Sequence, residues 1–274
     1  MGETQQSDID SANAEFWNNL CGTWIAKSLG VTDDSPESLR KFDDWYMGYY
    51  PYLKTHVPLH EFSGLTVVEV GLGYGTLSQK IAEAGADYLG MDIAGGPVGM
   101  VRHRLAQAGL SGGAVQRSFF DNQLADNSVD RVVAIGCFHH TGNVQACFNE
   151  TRRMLKPGGE AHLMVYNRYS HRRLMQDREN FLAELLAEEF GELEVKTASE
   201  LDRFSSDSNL EGEAAPETVY LSTRQVERMM AAYTHVQITK ENMDESDDPA
   251  FERRSVLGNW GRKAGLDLYI RARK

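Results

Sequence analysis

Apolar and polar residues follow two different periods along the chain. Between residues 65 and 166, the short apolar runs are LTVVEV, DYLGMDI, GAVQ, DRVVAIG and EAHLMVY. They are separated by segments such as TLSQKIAEAGA and PVGMVRHRLAQAG, whose apolar residues share one face of a helix. Gly85 and Gly109 suit the position that follows each helix. Strands that alternate with helices predict an α/β fold with a parallel sheet covered on both faces.

The first 60 residues predict helices of a different kind. An aromatic set recurs at the spacing of one helix face, and its members are Phe42, Trp45, Tyr46, Tyr49 and Tyr50. Ser35 and Pro36 supply an N-cap and a first-turn proline for this helix, and Pro51 ends the pattern. We therefore expect an N-terminal helical cap over residues 1–60 and a second domain over residues 61–274.

The chain beyond Ser170 predicts helices, a loop and two late strands. HRRLMQDRENFLAELLAEEFG predicts one long helical stretch, and the acidic, serine-rich SELDRFSSDSNLEGEAAPET predicts a mobile loop or lid. Ser222 and Gln225 have the spacing of a capping box at the start of another helix. The late strands are HVQITK and LDLYIRARK.

Charge and composition narrow the class of protein. The chain has 28 basic and 40 acidic side chains, for a net charge of −12, which disfavours nucleic acid as a partner. No apolar run reaches the roughly 20 residues of a membrane span, and the polar start is unlike a signal peptide, so we expect a cytoplasmic protein with no membrane partner. Cys21, Cys137 and Cys147 lack CxxC spacing and fit reduced thiols. The sequence has no cluster of Cys, His and carboxylate residues that would predict a metal site.

The stretch VVEVGLGYGTL, residues 67–77, predicts a buried strand, a glycine turn and a helix. Such turns bind dinucleotides, phosphates or S-adenosylmethionine. A dinucleotide site needs GxGxxG, but here the spacing is GxGxG with Thr76 at the third glycine's place; a P-loop needs a lysine that is absent from this turn. Glu69 places a carboxylate that suits an ammonium group, and Asp92 ends the second strand where an acid accepts ribose hydroxyls. These residues favour S-adenosylmethionine.

The sequence resembles the class I S-adenosylmethionine-dependent methyltransferases from about Leu65 to Ser170. The resemblance rests on VVEVGLGYGTL, GMDI, DNSVDRVVAIGCFHHTGN and NETRRMLKPGGEAHLMVYNRYS. It implies a Rossmann-like, seven-stranded mixed sheet whose last strand is antiparallel. It also implies that Glu69, Gly71, Gly73 and Gly75 lie at the methionine moiety, that Asp92 binds the ribose, that Ile93 packs on adenine, and that the backbone of Cys137 lines the sulfonium.

The sequence departs from the family pattern at two places. Where the family usually has an aspartate for the adenine amino group, this chain has Ser118 followed by Phe119. Either Ser118 replaces that acid or Asp121 reaches the adenine. The stretch from Tyr49 to Leu53 resembles a segment of small-molecule methyltransferases, with Tyr50 in place of an acid. We expect Tyr46 or Tyr50 to close over the cofactor, because an aromatic face attracts a sulfonium cation; the alternative is core packing of the cap helix.

The predicted function is methyl transfer from S-adenosylmethionine to an oxygen or nitrogen of a small organic acceptor by in-line displacement. His140 and Tyr166 are the catalytic candidates, with His139, Tyr169 and His171 nearby in the sequence. A hydrogen bond within its own loop is the alternative role for His140. Other open alternatives are non-methyl chemistry on the same cofactor (cyclisation or alkyl transfer), a non-catalytic ligand-binding relative, and nucleic-acid modification. A homodimer is possible.

Overall fold

The structure is a computed structural model that describes residues 3–19, 22–191, 193–245 and 252–274. A seven-stranded sheet with the order β3-β2-β1-β4-β5-β7-β6 forms its centre. The strands are β1 (Thr66–Val70), β2 (Asp87–Asp92), β3 (Gly113–Gln116), β4 (Val129–Ile135), β5 (Leu155–Tyr166), β6 (His235–Glu241) and β7 (Asp267–Arg273).

Six strands run in one direction and β7 runs against them. β1 pairs in parallel with β2 and β4, and β4 pairs in parallel with β5. β7 is antiparallel to both β5 and β6, and its first residue Asp267 lies opposite Tyr166 and Glu241. The predicted seven-stranded mixed sheet with an antiparallel last strand is confirmed.

Helices cover the sheet and precede it. They are α1 (Glu3–Phe16), α2 (Thr23–Ser28), α3 (Pro36–Tyr49), α4 (Leu53–His56), α5 (Thr76–Glu83), α6 (Gly95–Ala108), α7 (Val144–Met154), α8 (His171–Gln176), α9 (Arg178–Glu189), α10 (Glu200–Ser206), α11 (Thr223–Met229), α12 (Arg253–Val256) and α13 (Arg262–Ala264). Short 3₁₀ turns occupy Leu59–Glu61, Phe119–Asp121 and Phe138–His140, and a π-helical turn occupies Leu257–Gly261. The predicted N-terminal helices, the aromatic helix from Pro36 and the Ser222 capping box are present.

The sheet divides the buried apolar residues into two clusters. Val68 and Val70 of β1 belong to one cluster, whereas Val67 belongs to the other. Successive side chains of a strand point to opposite faces, so this division shows that β1 is buried on both sides. Apolar burial against helices on both faces is what holds the sheet in place.

A buried ion pair attaches α3 to the glycine turn and to α6. The guanidinium of Arg104, on α6, donates to both carboxylate oxygens of Asp43 on α3, each at 3.0 Å. It also donates to Gln79 Oε1 at 3.0 Å, and Thr76 Oγ1 donates to Asp43 at 2.6 Å. The Arg104 side chain has 0% exposure, so its charge depends on these partners.

Two expectations about the chain after Ser170 differ from the structure. The single helical stretch is two helices, because Asp177 takes a non-helical conformation (φ −146°, ψ 76°) and caps α9 by accepting from the Asn180 N–H. The predicted mobile loop contains α10, whose N-cap is Ser199. Within the described residues, no helix is long and apolar enough to cross a membrane.

Replacing Asp43 with Ala should destabilise the fold by about 3 kcal/mol, because Arg104 would keep a buried charge without its carboxylate partner. Urea unfolding of the wild type and the variant measures the difference. Asp44→Ala is the matched control, since Asp44 is exposed on the same helix. Equal losses in the two variants would contradict this account of the ion pair.

Candidate functional site

A cavity of about 390 Å³ lies where the parallel strands end and β7 begins. We call the part formed by the ends of β1, β2 and β3 the β2 side; its lining residues are Gly71, Gly73, Asp92, Ile93, Ser118 and Phe119. We call the opposite part the β7 side; its lining residues are Tyr166, Arg172, Asp207, Asp244 and Asp267. Because ligands of open α/β sheets bind at the carboxyl ends of the strands, this cavity is the candidate site.

The glycine turn after β1 has a backbone that other residues would strain. Gly71, Gly73 and Gly75 have φ values of +76°, +50° and +79°. A Cβ on Gly71 would lie 2.5 Å from the Cβ of Cys137, and one on Gly75 would lie 2.8 Å from Arg104 Cδ. Gly71 and Gly73 line the cavity, whereas Gly75 is outside its lining and packs on Arg104. Gly75 therefore packs on Arg104 in this structure, and its predicted place at the methionine moiety stays a prediction.

Asp92 is fixed by backbone groups and faces the cavity. Its Oδ2 accepts from the Leu72 N–H at 2.8 Å, and its Oδ1 accepts from the Ala94 N–H at 2.9 Å. Burial raises the pKa of the carboxyl, although the backbone N–H groups partly oppose that shift. Each carboxylate oxygen keeps acceptor capacity for a second donor. Two adjacent hydroxyl groups would match this arrangement.

Glu69 lies in different surroundings from those predicted. Its Oε2 accepts from Ser78 Oγ and from the Tyr88 hydroxyl, both at 2.6 Å, and the side chain is 3% exposed. Glu69 is not among the cavity's lining residues, because alternation along β1 places it on the face of Val67. Burial raises its pKa to about 7. The carboxylate thus connects β1 to α5 and β2 beneath the glycine turn, and it does not present itself to a ligand.

Asp10 of α1 places its carboxylate beside Ser118, the position where the family usually has an aspartate. Ser118 Oγ donates to Asp10 Oδ2 at 2.5 Å, and both residues line the cavity. Asp121, the alternative considered from the sequence, is not among the lining residues. Asp10 was missed because it precedes Ser118 by 108 positions and lies on a helix with no recognisable motif.

Helix α1 crosses the cavity and is attached on its far side. Gln6 Nε2 donates to the Thr141 carbonyl at 3.0 Å, and Asn13 Nδ2 donates to the His140 carbonyl at 2.7 Å. The Trp17 ring lies 4.9 Å from the His140 ring. Asn13 and Trp17 were also missed by the sequence reasoning, although both line the cavity.

Aromatic residues of α3 and its C-cap form another wall. Tyr46, Tyr49 and Tyr50 line the cavity, and two of them, Tyr46 and Tyr50, are the tyrosines that the sequence places near the cofactor as an expectation. Phe42 is instead buried and stacks on Tyr74 of the glycine turn at 4.2 Å. Phe42 therefore packs in the core and the three tyrosines line the cavity, while closure of Tyr46 or Tyr50 over the cofactor stays a prediction.

His140, Tyr166 and Asp207 meet between the two sides. The Tyr166 hydroxyl donates to Asp207 Oδ2 at 2.9 Å, and His140 Nε2 lies 3.6 Å from the same oxygen. His140 Nδ1 lies 2.8 Å from the Glu217 carbonyl oxygen, an acceptor that fixes the proton on Nδ1. Nε2 of the neutral ring is then free of a proton. His140 thus has the loop hydrogen bond and still turns its second nitrogen toward Asp207.

The remaining base candidates lie outside the cavity lining. His139 is fully buried, and burial holds its pKa well below the usual value. The Tyr169 hydroxyl donates to the Glu184 carbonyl at 3.2 Å, and His171 Nε2 lies 3.0 Å from Asp244. None of these three is among the cavity's lining residues.

Comparisons with known proteins agree with this geometry. Residues 68–163 match the family model described as a methyltransferase domain. The chain is 27% identical over 176 residues to a ubiquinone biosynthesis O-methyltransferase of Agrobacterium fabrum, covering 61% of this chain and 68% of that relative. It is 30% identical over 109 residues to the protein of the same name from Pseudomonas paraeruginosa, covering 39% of this chain and less than half (46%) of the relative.

The fold agrees with a solved structure as well. An S-adenosylmethionine-dependent methyltransferase from Mesorhizobium loti superposes with a TM-score of 0.55 at 16% identity, covering 82% of this chain and 97% of the other. The domain match over residues 68–163 and the fold together support a class I S-adenosylmethionine-dependent methyltransferase. The family and the cofactor predicted from the sequence are thereby confirmed.

The residues of this methyltransferase fit S-adenosylmethionine. Gly71 presents its backbone to the cavity. A side chain at this position would collide with Cys137, so only glycine fits here. Asp92 offers a paired acceptor on the same side, and Ile93 and Phe119 supply apolar surface beside it. Cys137 lines the cavity while its Sγ donates to the Val70 carbonyl at 3.1 Å.

The described residues contain free thiols and no metal-binding cluster. Cys137 and Cys147 are free thiols, and Cys21 lies outside the described residues. Across residues 3–19, 22–191, 193–245 and 252–274, no group of three or more His, Cys, Asp or Glu residues is placed to hold a metal ion.

The raised pKa of Glu69 predicts a pH-dependent stability. A carboxyl whose pKa is higher in the folded than in the unfolded state favours folding below about pH 4.5, and this contribution disappears as the pH rises through about 7. The wild type should thus lose up to about 3 kcal/mol more than Glu69→Gln between pH 5 and pH 8. Urea unfolding across this pH range measures the difference, and Glu83→Gln is the control because Glu83 is an exposed residue of α5. An identical pH slope in all three proteins would contradict the assignment.

Proposed function

We propose that the protein transfers a methyl group from S-adenosylmethionine to an oxygen or nitrogen of a small organic acceptor. The observation that carries the proposal is Asp92, a buried carboxylate held by two backbone N–H groups at the end of β2 and facing the cavity. The ubiquinone biosynthesis relatives are named O-methyltransferases, which supports oxygen as one acceptor atom.

On this proposal, the β2 side holds the adenosine. Asp92 accepts from the ribose hydroxyls, Ile93 and Phe119 pack on the adenine, and Ser118 with Asp10 meets the polar edge of the base. Ser118 donates its hydroxyl proton to Asp10 at 2.5 Å, so the pair offers acceptor oxygens that suit the adenine amino group. This pair takes the place of the aspartate that the family usually has there.

The centre of the cavity holds the methionine part. The backbones of Gly71 and Gly73 approach it, and the backbone of Cys137 lines the sulfonium. Tyr46 and Tyr50 offer ring faces to the sulfonium cation, an attraction worth roughly 0.5–2 kcal/mol. Glu69 acts indirectly, because its bonds to Ser78 and Tyr88 fix the strand from which the glycine turn starts.

The protein's part in the reaction is alignment and proton removal. Bound S-adenosylmethionine supplies an electrophilic methyl group on an excellent leaving group, so an in-line displacement needs chiefly correct orientation. His140 Nε2 receives the proton of a hydroxyl or ammonium acceptor, while Nδ1 stays bonded to the Glu217 carbonyl. Tyr166 holds Asp207 in place beside that ring. Removal of water by α1 strengthens these polar contacts.

The cavity's shape supports a small acceptor. Residues 1–60 form the proposed cap over a methyltransferase domain of residues 61–274, and α1 with the α3 tyrosines encloses the cavity. Five of its lining residues are acidic, Asp10, Asp92, Asp207, Asp244 and Asp267, against Arg117 and Arg172. Such a surface disfavours the phosphates of nucleic acids and membranes. A cytoplasmic location and a homodimer remain predictions from the sequence.

Asp92→Ala should weaken S-adenosylhomocysteine binding by about 10- to 100-fold, because hydrogen bonds to a charged group are lost. Isothermal titration calorimetry measures the affinity. Asp87→Ala is the matched control, because Asp87 is exposed at the other end of β2. Undiminished affinity in Asp92→Ala, or no binding by the wild type, would rule out the proposed site.

His140→Gln should lower kcat by about 10²-fold or more while leaving S-adenosylhomocysteine affinity within a few-fold, because the proton acceptor is lost but the cofactor residues are not. Mass spectrometry of the acceptor and of the nucleoside product follows the reaction. His60→Gln is the control, since the His60 side chain is 80% exposed. Formation of methylthioadenosine in place of S-adenosylhomocysteine would show non-methyl transfer instead.

A further inference from the structure

Asp267, the first residue of β7, is a buried carboxylate without a hydrogen-bond partner. It is 1% exposed, and neither carboxylate oxygen has a partner in the part of the chain that the structure describes. The Asn242 side chain approaches it and opposes part of the effect of burial, but makes no hydrogen bond of normal geometry. A buried carboxylate left in this state destabilises the folded protein. Because Asp267 lines the cavity, a ligand can supply the missing donor.

The other two acids of the β7 side are already engaged. Asp244 lies 2.5 Å from the Arg172 guanidinium and 3.0 Å from His171 Nε2, and hydrogen bonds from these two partners hold its pKa well below the usual range. Asp207 accepts from the Tyr166 hydroxyl at 2.9 Å. Arg172 and Arg253 exert only an electrostatic influence on Asp267, and Asp207 opposes it with a like charge. The β7 side therefore has one carboxylate left for a ligand.

Asp267 is remote from the glycine turn. In the sheet order, β7 is three positions from β1, which at about 4.8 Å per strand is about 14 Å. The same count gives about 19 Å between β7 and the Asp92 strand β2. A ligand with its ribose at Asp92 and its methionine part at the glycine turn leaves the β7 side to the second substrate.

We propose that Asp267 binds an amino group of the acceptor, so that the substrates of this enzyme are amines. A cationic or N–H-bearing group compensates a buried carboxylate, whereas a carboxylic acid would add a second negative charge. The neighbouring Tyr49, Tyr50 and Tyr269 rings line the same cavity and provide apolar surface for the body of an arylalkylamine. This inference rests on the proposed function and adds the acceptor class to it.

Binding to the S-adenosylhomocysteine complex tests the proposal with three matched pairs of probes. The pairs are phenethylamine with 2-phenylethanol, tyramine with tyrosol, and hexylamine with hexanol. At least one amine should bind the wild type ten-fold or more tightly than its alcohol partner, and Asp267→Asn should abolish this preference. If no amine exceeds its alcohol partner, or if the preference survives in Asp267→Asn, the proposal is overturned.

S-adenosylhomocysteine affinity separates this proposal from the proposed function. Asp267→Asn should bind S-adenosylhomocysteine as the wild type does, within about two-fold. A ten-fold loss would show that Asp267 serves the amino group of the cofactor and would overturn the proposal. Failure of the wild type to bind S-adenosylhomocysteine would instead contradict the proposed function itself.

Melting temperature gives a readout that needs no acceptor. Asp267→Asn should melt at a higher temperature than the wild type at pH 8, where the carboxylate is charged, and this difference should be smaller at pH 5, where Asp267 is protonated in the folded protein. Asp244→Asn is the matched control and should melt lower, because it loses its partners Arg172 and His171. A loss in Asp267→Asn equal to that of Asp244→Asn would reveal a partner within the protein and would overturn the proposal.

Discussion

The site depends on how closely the glycine turn packs between its neighbours. Gly71 lies against Cys137 at the end of β4, and Gly75 lies against Arg104 of α6. A side chain at either position would push β1 away from β4 or α5 away from α6, quite apart from the strain of a positive φ. Since Arg104 also holds Asp43 of α3, the same turn determines where the aromatic wall of the cavity stands.

Features encoded by neighbouring residues were predictable from the sequence. The glycine turn, the strand ending at Asp92 and the capping box at Ser222 each occupy a short stretch whose residue types have one physical explanation. The seven-stranded mixed sheet with an antiparallel last strand followed from the family resemblance and is confirmed. The break between α8 and α9 was missed because apolar residues recur on both sides of Asp177. The non-helical backbone of this one residue separates the two helices.

Features made by distant residues were not predictable. Asp10 meets Ser118 across 108 positions, and Asp207 reaches Tyr166 from a segment without a periodic pattern. Glu69 is a different case, because the alternation of β1 already placed it beside Val67 and away from Val68 and Val70. The alternation of side chains along β1, with Ser78 and Tyr88 as polar partners, would have predicted that Glu69 points away from the ligand.

The reversed direction of β7 has a consequence for how this protein can diverge. A parallel strand would have its last residue at the edge of the sheet where the cavity lies. The antiparallel β7 has its first residue there, directly after the connection of residues 242–266. That connection also contributes Asn242, Met243, Asp244 and Leu266 to the cavity. Insertions or exchanges there would remodel one end of the cavity while every strand kept its register. Acceptor preference can thus evolve separately from nucleoside recognition.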